Sequence, residues 1–207
     1  MLRVFQRACV RAGISIQYSQ GFNPHPKLSL PLPRPVGIES DDELLCLRVH
    51  KGTSAQEHKC TSAQEHKSIS AQLPEGCELL SISAAKANTS FQPCSATYIF
   101  AVKKDYLNDR LRATIKRLLA SESINVRRRI DAKNSKLKTQ NSKLKNVDVR
   151  GFLKSIELND RGIIVECEIS PAGSIRVEEI LNLLELDAEK LAGPIRRTNV
   201  QWRVSES

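Results

Sequence analysis

The order of hydrophobic patterns between residues 97 and 204 limits the folds open to this chain more than any other feature. Two segments have apolar residues at helical spacing, which are Leu107, Leu111, Ile115 and Leu118 in the first and Val177, Ile180, Leu181 and Leu184 in the second. Strand-like patterns surround them at residues 97–102, 123–130, 147–158, 162–169 and 199–204, and residues 159–162 predict a hairpin turn. We interpret the order as β-α-β-β-α-β, which is typical of a ferredoxin-like split βαβ unit. The predicted fold class is therefore α+β.

The N-terminal part has a similar but less regular pattern. The spacing of apolar residues predicts a helix over residues 1–12, which Gly13 ends. Extended segments are expected at residues 27–32 and 43–50, a weak helix after residue 53, and a strand at 77–83 that follows the turn Pro74-Glu75-Gly76. This order matches the C-terminal one if a strand precedes residue 1. We therefore predict two tandem ferredoxin-like halves, residues 1–90 and 91–207, of which the first lacks its N-terminal strand.

The net charge of +9 is concentrated in the middle of the chain. Residues 101–154 contain 16 basic and five acidic side chains, whereas residues 155–207 contain six and ten. Such a concentration is typical of a surface that contacts phosphate groups, and a solubilising loop explains it equally well. The candidate nucleic-acid-binding residues are Arg3, Arg7 and Arg11 on one face of the first helix and Arg127, Arg128 and Arg129 in a predicted strand.

Two short duplications interrupt the pattern. TSAQEHK at residues 53–59 recurs at 61–67, and NSKLK at 134–138 recurs at 141–145. Their periods are far below the roughly 20–50 residues of architectural repeats, so we interpret them as surface expansions. His58 and His66 are then duplicated passively and are not metal ligands. The second duplication belongs to a basic insertion, about residues 131–146, for which we predict a mobile loop.

The string YSQGFNPHPKL at residues 18–28 predicts a stiff loop. Gly21 permits a positive φ, and the two prolines fix their own φ and keep the residues before them out of helical conformation. The simpler interpretation is a rigid connector between helix and strand. The functional interpretation is a binding surface, and its candidate partner- or substrate-binding residues are Phe22, Asn23, His25 and Lys27.

Several classes of protein do not fit the sequence. No run approaches the roughly 18 apolar residues of a membrane helix, and arginines interrupt the N-terminus where a signal peptide would be apolar. The six cysteines lack metal-binding spacing and suit a reducing cytoplasm. Neither a Walker loop nor GxGxxG is present, and no histidine lies in a recognisable catalytic motif. We therefore expect no metal site and no cofactor in this chain.

The loop string and the residues that follow it resemble a known family. Together with PLPRPVGIESDDE at 31–43, RA at 7–8, RAG at 11–13, LPEG at 73–76, GSIR at 173–176 and IRRT at 195–198, residues 18–28 resemble the uncharacterised radical-SAM-linked family. Members of that family are fused to, or encoded beside, B12-binding radical SAM proteins. The resemblance implies a radical SAM partner that carries an iron–sulfur cluster and SAM, with cobalamin as a further candidate. It also implies an RNA-related setting, and a strand and a Ser-His-Leu-Asp-type stretch before the position of Met1.

Two classes of function follow from these observations. In the first, the protein is a noncatalytic substrate-recognition or scaffold partner of a radical SAM enzyme in RNA modification or processing. In the second, it is a stand-alone enzyme domain that uses His25 as the acid/base group. The sequence favours the first class because it offers no constellation of nucleophile, metal ligands or cofactor-binding residues.

Overall fold

The computed structural model describes residues 2–50, 62–86, 88–130 and 143–206. Over these residues the protein has four α-helices and ten β-strands, so the predicted α+β class is confirmed. The chain divides into two units, of which the first comprises Met1–Pro33, Glu43–Phe91 and Val204–Ser207 and the second comprises Arg34–Asp42 and Gln92–Arg203. None of the helices in the described ranges is long and apolar enough to span a lipid bilayer.

A six-stranded sheet is the main element of the second unit. Its strands are β2 (Ile38–Ser40), β4 (Thr89–Ala101), β7 (Leu153–Asn159), β8 (Gly162–Ser170), β9 (Gly173–Ser174) and β10 (Ile195–Glu206). The order along the main path is β2-β10-β4-β8-β7, and β9 pairs with β8. Strand β8 is antiparallel to both β4 and β7, whereas β2 and β10 are parallel.

The predicted turn at residues 159–162 joins β7 to β8. Asn159 pairs with Gly162, so the connection is a two-residue hairpin turn, and the prediction is confirmed. Gly162 has a φ of 149°, and a Cβ atom there would overlap the backbone carbonyl oxygen of Phe100. Only glycine allows β8 to begin this close to β4.

The core of the second unit consists of alternating residues of the sheet and the apolar faces of two helices. Helix α3 is Asp109–Ala120 and helix α4 is Val177–Leu183. The buried residues of these elements include Ala96, Tyr98 and Phe100 of β4, Ile163, Val165 and Cys167 of β8, Leu111, Ile115 and Leu118 of α3, and Val177 and Ile180 of α4. The predicted helical stripes are thereby confirmed in most positions, but Leu107 precedes α3, and both Leu107 and Leu181 are only half-buried. Burial of each large apolar side chain contributes about 1.5–3 kcal/mol.

The strand predicted over residues 147–158 is divided in the structure. Strand β6 (Lys143–Asp148) pairs antiparallel with β5 (Asn125–Ile130), and a 3₁₀ turn at Arg150–Phe152 precedes β7. The Arg150 guanidinium donates to the backbone carbonyls of Leu119, Ser121 and Leu153 at 2.9–3.0 Å. It thereby satisfies carbonyl groups that the end of α3 leaves without helical partners.

The basic insertion is also partly regular structure. Residues 143–146 belong to β6, so the mobile loop predicted over residues 131–146 is wrong at its C-terminal end. Cross-strand pairing with β5 fixes these four residues. Residues 131–142 lie outside the described residues.

The first unit contains two helices and a small sheet in its described part. Helix α1 is Leu2–Arg11, which confirms the N-terminal helix, and Gly13 follows it with a φ of 77°. Strand β1 (Leu28–Ser29) pairs antiparallel with β3 (Cys46–Leu47). Both strands are shorter than the extended segments predicted at residues 27–32 and 43–50.

Helix α2 (Ser62–Ser70) contains most of the second copy of the first duplication, so the weak helix is confirmed there. The first copy and His58 lie outside the described residues. His66 donates from Nε2 to the carbonyl oxygen of Leu79 at 2.8 Å, and this bond holds α2 to the segment that follows it.

The strand predicted at residues 77–83 is wrong. The turn before it forms, since the Cys77 N–H donates to the Pro74 carbonyl at 3.1 Å, but the segment pairs with no strand of the described chain. A strand-like pattern of side chains is insufficient where no neighbouring backbone completes a ladder. The tandem ferredoxin-like arrangement is therefore not confirmed, and the boundary between residues 90 and 91 stays a prediction.

Candidate functional site

Three of the predicted arginines form a row along α1. Arg3, Arg7 and Arg11 are four residues apart, so they lie on one helical face with a spacing of about 6 Å along the axis. All three are exposed, and none forms an ion pair with any residue that the structure describes. Helix α1 contains no acidic residue. Within the described residues the row is therefore a strip of positive charge without an acidic partner, and we call it the arginine row.

The charges of the arginine row affect α1 in opposite directions. The helix dipole disfavours Arg3 in the first turn and favours Arg11 in the last turn, whereas like charges four residues apart repel each other by about 0.2–0.5 kcal/mol per pair. Arg3 with Arg7 and Arg7 with Arg11 are two such pairs. An anionic ligand would relieve this repulsion.

Two surface depressions lie beside the arginine row. The first has a volume of about 490 Å³, and we call it the arginine groove; it is lined by Arg3, Gln6, Arg7, Val10, Arg11 and Tyr18. The second has a volume of about 410 Å³ and is lined by Val4, Arg7, Ala8, Arg11 and residues 71–74. Arg7 and Arg11 contribute to both depressions, so they form the ridge between them.

The loop that was predicted to be stiff is closed at its base. The Ser19 N–H donates to the His25 carbonyl at 2.8 Å, and the His25 N–H donates back to the Ser19 hydroxyl at 2.9 Å. Below these bonds Tyr18 forms an antiparallel bridge with Pro26. Gly21 has a φ of 123°, which side chains other than glycine rarely allow. These three contacts, the conformation of Gly21 and the two prolines fix residues 20–24 as the tip of the loop.

The candidate residues of the loop are all exposed. Phe22 is fully exposed, and Asn23, His25 and Lys27 are also exposed. Phe22 and Asn23 lie in the tip, whereas His25 and Lys27 lie in the two-stranded base, where the Lys27 N–H donates to the Gln17 carbonyl at 2.7 Å. The structure therefore brings the four residues into one loop and places none of them in a core.

Tyr18 and Ser19 are the residues of this region that the sequence did not single out. Tyr18 lines the arginine groove and also lies at the base of the loop, so it connects the two candidate surfaces. Ser19 closes the loop through its hydroxyl and its N–H. The only sequence signal for either residue was its position at the start of the string at residues 18–28.

The other three predicted arginines are separated by the alternation of β5. Arg127 and Arg129 are exposed on one face of the β5–β6 ribbon. Arg128 lies on the opposite face, where its Nε and Nη2 donate to the two carboxylate oxygens of Glu179 at 2.7 Å and Nη2 also donates to the Ser174 carbonyl at 2.7 Å. The hydrogen bond with Glu179 raises the pKa of Arg128 above its already high ordinary value. Arg128 thus has a structural contact, and Arg127 and Arg129 are available to a ligand.

The described residues offer little for nucleophilic or metal chemistry. Burial raises the pKa of the Cys167 thiol to about 12, so this thiol stays protonated near neutral pH. Burial also raises the pKa values of Cys9 and Cys46. Within the described ranges, no three His, Cys, Asp or Glu side chains are grouped so that they could hold a metal ion.

The fold and the arginine row together define an α+β protein with a basic surface on its N-terminal helix. Residues 1–182 match the family of uncharacterised proteins conserved in bacteria (DUF2344), and since the match covers most of the chain, the protein belongs to this family. No curated protein and no solved structure matches the chain. The description of the family states no activity, so the function has to be inferred from the residues themselves.

Proposed function

We propose that this protein is a noncatalytic recognition module that binds RNA through the arginine row and serves a radical SAM enzyme in RNA modification or processing. The observation that carries the proposal is the row itself, in which three exposed arginines stand on a helix without an acidic residue. The phosphate backbone is the main source of affinity for such a surface, because each contact releases a counterion. Arg127 and Arg129 add a second exposed basic pair on the β5–β6 ribbon.

The partner in this proposal follows from the resemblance to the radical-SAM-linked family. The partner would carry the iron–sulfur cluster, SAM and, as a further candidate, cobalamin, and this chain would carry no cofactor. The surface that we propose for contact with this partner is the loop tip, since Phe22 is fully exposed on a backbone that is already fixed. A fixed loop loses little conformational entropy on binding. The proposed setting is the cytoplasm.

We also infer that the second unit is a ferredoxin-like split βαβ unit. The element order β4-α3-β7-β8-α4-β10 and the sheet order β10-β4-β8-β7 support this inference, with β5 and β6 as an added ribbon after α3. Such a fold hosts many functions, so the fold does not decide between them.

A stand-alone enzyme that uses His25 as acid/base is less well supported. An acid/base histidine is usually oriented by a second polar group. In the described structure, the contacts of His25 come from its backbone N–H and carbonyl, and its ring is exposed. The recognition function therefore agrees better with the geometry.

The test of RNA binding compares two variants that each remove three positive charges. In one variant Arg3, Arg7 and Arg11 are replaced by Gln, and in the control Arg112, Lys116 and Arg161, which are exposed and far from α1 in the sequence, are replaced by Gln. Fluorescence anisotropy with a labelled single-stranded RNA is measured between 50 and 200 mM salt, a range over which phosphate contacts change affinity strongly. We expect the first variant to bind at least about tenfold more weakly and to lose about 2 from the slope of log affinity against log salt.

Two outcomes would contradict the proposal. Equal losses in both variants would show that net charge alone governs binding, and an unchanged affinity in the first variant would exclude the arginine row. Co-purification with the radical SAM protein tests the partner separately.

A further inference from the structure

We infer that the arginine groove is a site for single-stranded nucleic acid, in which phosphates contact the arginine row and one base stacks on the ring of Tyr18. This inference rests on the proposed function and names the ligand of the same surface. It adds Tyr18 to the binding residues, and it requires that the ligand has an unpaired base. Neither point follows from the positive charge alone.

The lining of the arginine groove has the chemistry that such a ligand needs. Three guanidinium groups line the groove, and Gln6 adds an amide that can donate and accept hydrogen bonds. Tyr18 and Val10 supply the aromatic and apolar surface. No carboxylate is present among these six lining residues. A mixture of cations with one exposed aromatic ring is typical of proteins that bind single strands, where the backbone follows a basic groove and bases stack on aromatic side chains.

The spacing of the arginines suits an extended strand. The Cα atoms of successive arginines lie about 6 Å apart along the helix axis. Each arginine can therefore contact a different phosphate of one strand. An acidic peptide is also attracted to such a row of cations. Carboxylates, however, make no use of the aromatic ring, whereas a nucleic acid presents a phosphate and a flat base in every unit.

The ring of Tyr18 is accessible and its backbone is fixed. The residue is 42% exposed and lines the arginine groove, so a ligand in the groove can reach it. Its bridge to Pro26 and the bonds of Ser19 with His25 hold the backbone in place, and the Gln17 N–H donates to the Arg48 carbonyl at 2.8 Å. An aromatic ring on a fixed backbone loses little entropy on stacking. In a duplex the base faces are already stacked on one another, so this arrangement selects an unpaired base.

The test separates stacking from charge by using two probes with the same number of phosphates. One probe is a ten-nucleotide single-stranded RNA, and the other is an abasic strand of the same length. Tyr18→Leu keeps an apolar side chain without an aromatic face, and Tyr18→Phe keeps the face. Tyr106→Ala is the control, because Tyr106 is another exposed tyrosine, at 38%, in the second unit.

We expect Tyr18→Leu to weaken binding of the RNA about tenfold and to leave binding of the abasic strand unchanged, because one base–aromatic stack is worth about that much affinity. Tyr18→Phe and Tyr106→Ala should both behave like the wild type. Thermal melting of each variant verifies that the fold is retained.

The outcomes that would contradict the stacking site differ from those that would contradict RNA binding through the arginine row. If Tyr18→Leu binds both probes like the wild type, the stacking site is wrong, and RNA binding through the arginine row still stands. If the wild type binds the two probes equally tightly, stacking is likewise excluded. If the wild type binds neither probe and binds an acidic peptide instead, both proposals are wrong.

Discussion

Phe22 is a side chain that should contribute little to the stability of the fold. It is fully exposed at the loop tip, so its removal creates no cavity. We predict that Phe22→Ala and His25→Ala each change the free energy of unfolding by less than about 1 kcal/mol. Association with the proposed radical SAM partner should fall about tenfold or more, because exposed aromatic and imidazole groups on a fixed loop can act as anchors. Denaturant titration and calorimetry measure both quantities on the same variants.

Gln20→Ala is the matched control for these two variants, because Gln20 is exposed in the same tip and is not a candidate residue. It should leave both stability and association near the wild-type values. A loss of about 3 kcal/mol in Phe22→Ala without a specific loss of association would assign the residue to packing and remove the loop from the site.

The contribution of individual residues to the site was only partly visible in the sequence. Helical periodicity correctly placed Arg3, Arg7 and Arg11 on one face, because four-residue spacing determines the face of a helix. The sequence did not show that the three arginines at residues 127–129 have different surroundings. A strand places neighbours on opposite faces, and Arg128 pairs with Glu179, 51 residues away. Tyr18 was missed because its relation to α1 depends on where the loop folds back, which no local pattern encodes.

At the scale of elements, one ion pair joins the β5–β6 ribbon to the first turn of α4. Burial by itself raises the pKa of Glu179. The pKa of Glu179 is lowered by hydrogen bonds from Arg128 and from the Arg176 N–H, and by the positive charges of both arginines. These effects together outweigh burial, so the pKa of Glu179 lies below the ordinary value of 4.5. The folded protein therefore binds this proton less tightly than the unfolded chain. The stabilisation is complete above the unfolded pKa and is lost as the pH falls through the lowered folded value.

We predict that Glu179→Gln lowers the free energy of unfolding by about 2 kcal/mol at pH 7, since it leaves a half-buried guanidinium without its carboxylate. The difference from wild type should shrink as the pH falls below 4.5, where the native carboxyl group also becomes neutral. Urea titrations at several pH values measure this difference. Glu178→Gln, an exposed neighbour in the same turn, should show no comparable dependence on pH, and a difference for Glu179→Gln that is constant with pH would contradict the assignment.

Most helices and strands were predicted correctly where the local sequence pattern alone determines the structure. Helices α1, α3 and α4 were predicted because each has apolar residues at helical spacing, and the β7–β8 hairpin because its turn residues are characteristic. Helix α1 buries only Ala8 and Cys9 of its residues. The segment at residues 77–83 has an equally good pattern and forms no strand, since a strand also requires a neighbour in register. The turn between β6 and β7 was missed because Arg150 stabilises it through carbonyls that lie some 30 residues earlier in the chain.

At the scale of the whole molecule, the two units differ in how much apolar surface they bury. Among the described residues, the buried hydrophobic residues of the first unit are Ala8, Cys9 and Ile16. The second unit buries Phe100, Ile163 and Val165 completely, along with many others. Because buried apolar area is the main source of stability, local opening should require less free energy in the first unit.

We predict that the amides of residues 163–167 exchange at least about a hundredfold more slowly than those of residues 8–11, after correction for intrinsic rates. Hydrogen exchange followed by mass spectrometry measures both segments in one experiment. Equal protection of the two segments would show that the chain opens only as a single cooperative body.

Because the loop is closed at its base, the side chains at its tip can be substituted without loss of the loop conformation. Ser19 and His25 join the two ends through backbone and hydroxyl hydrogen bonds, and these bonds do not depend on which side chains occupy residues 20, 22 and 23. A library that randomises those three positions, with Gly21 and the prolines retained, would vary the recognition sequence while the scaffold stays constant. A few point substitutions at these positions would then be enough to change the partner, as in the hypervariable loops of antibodies.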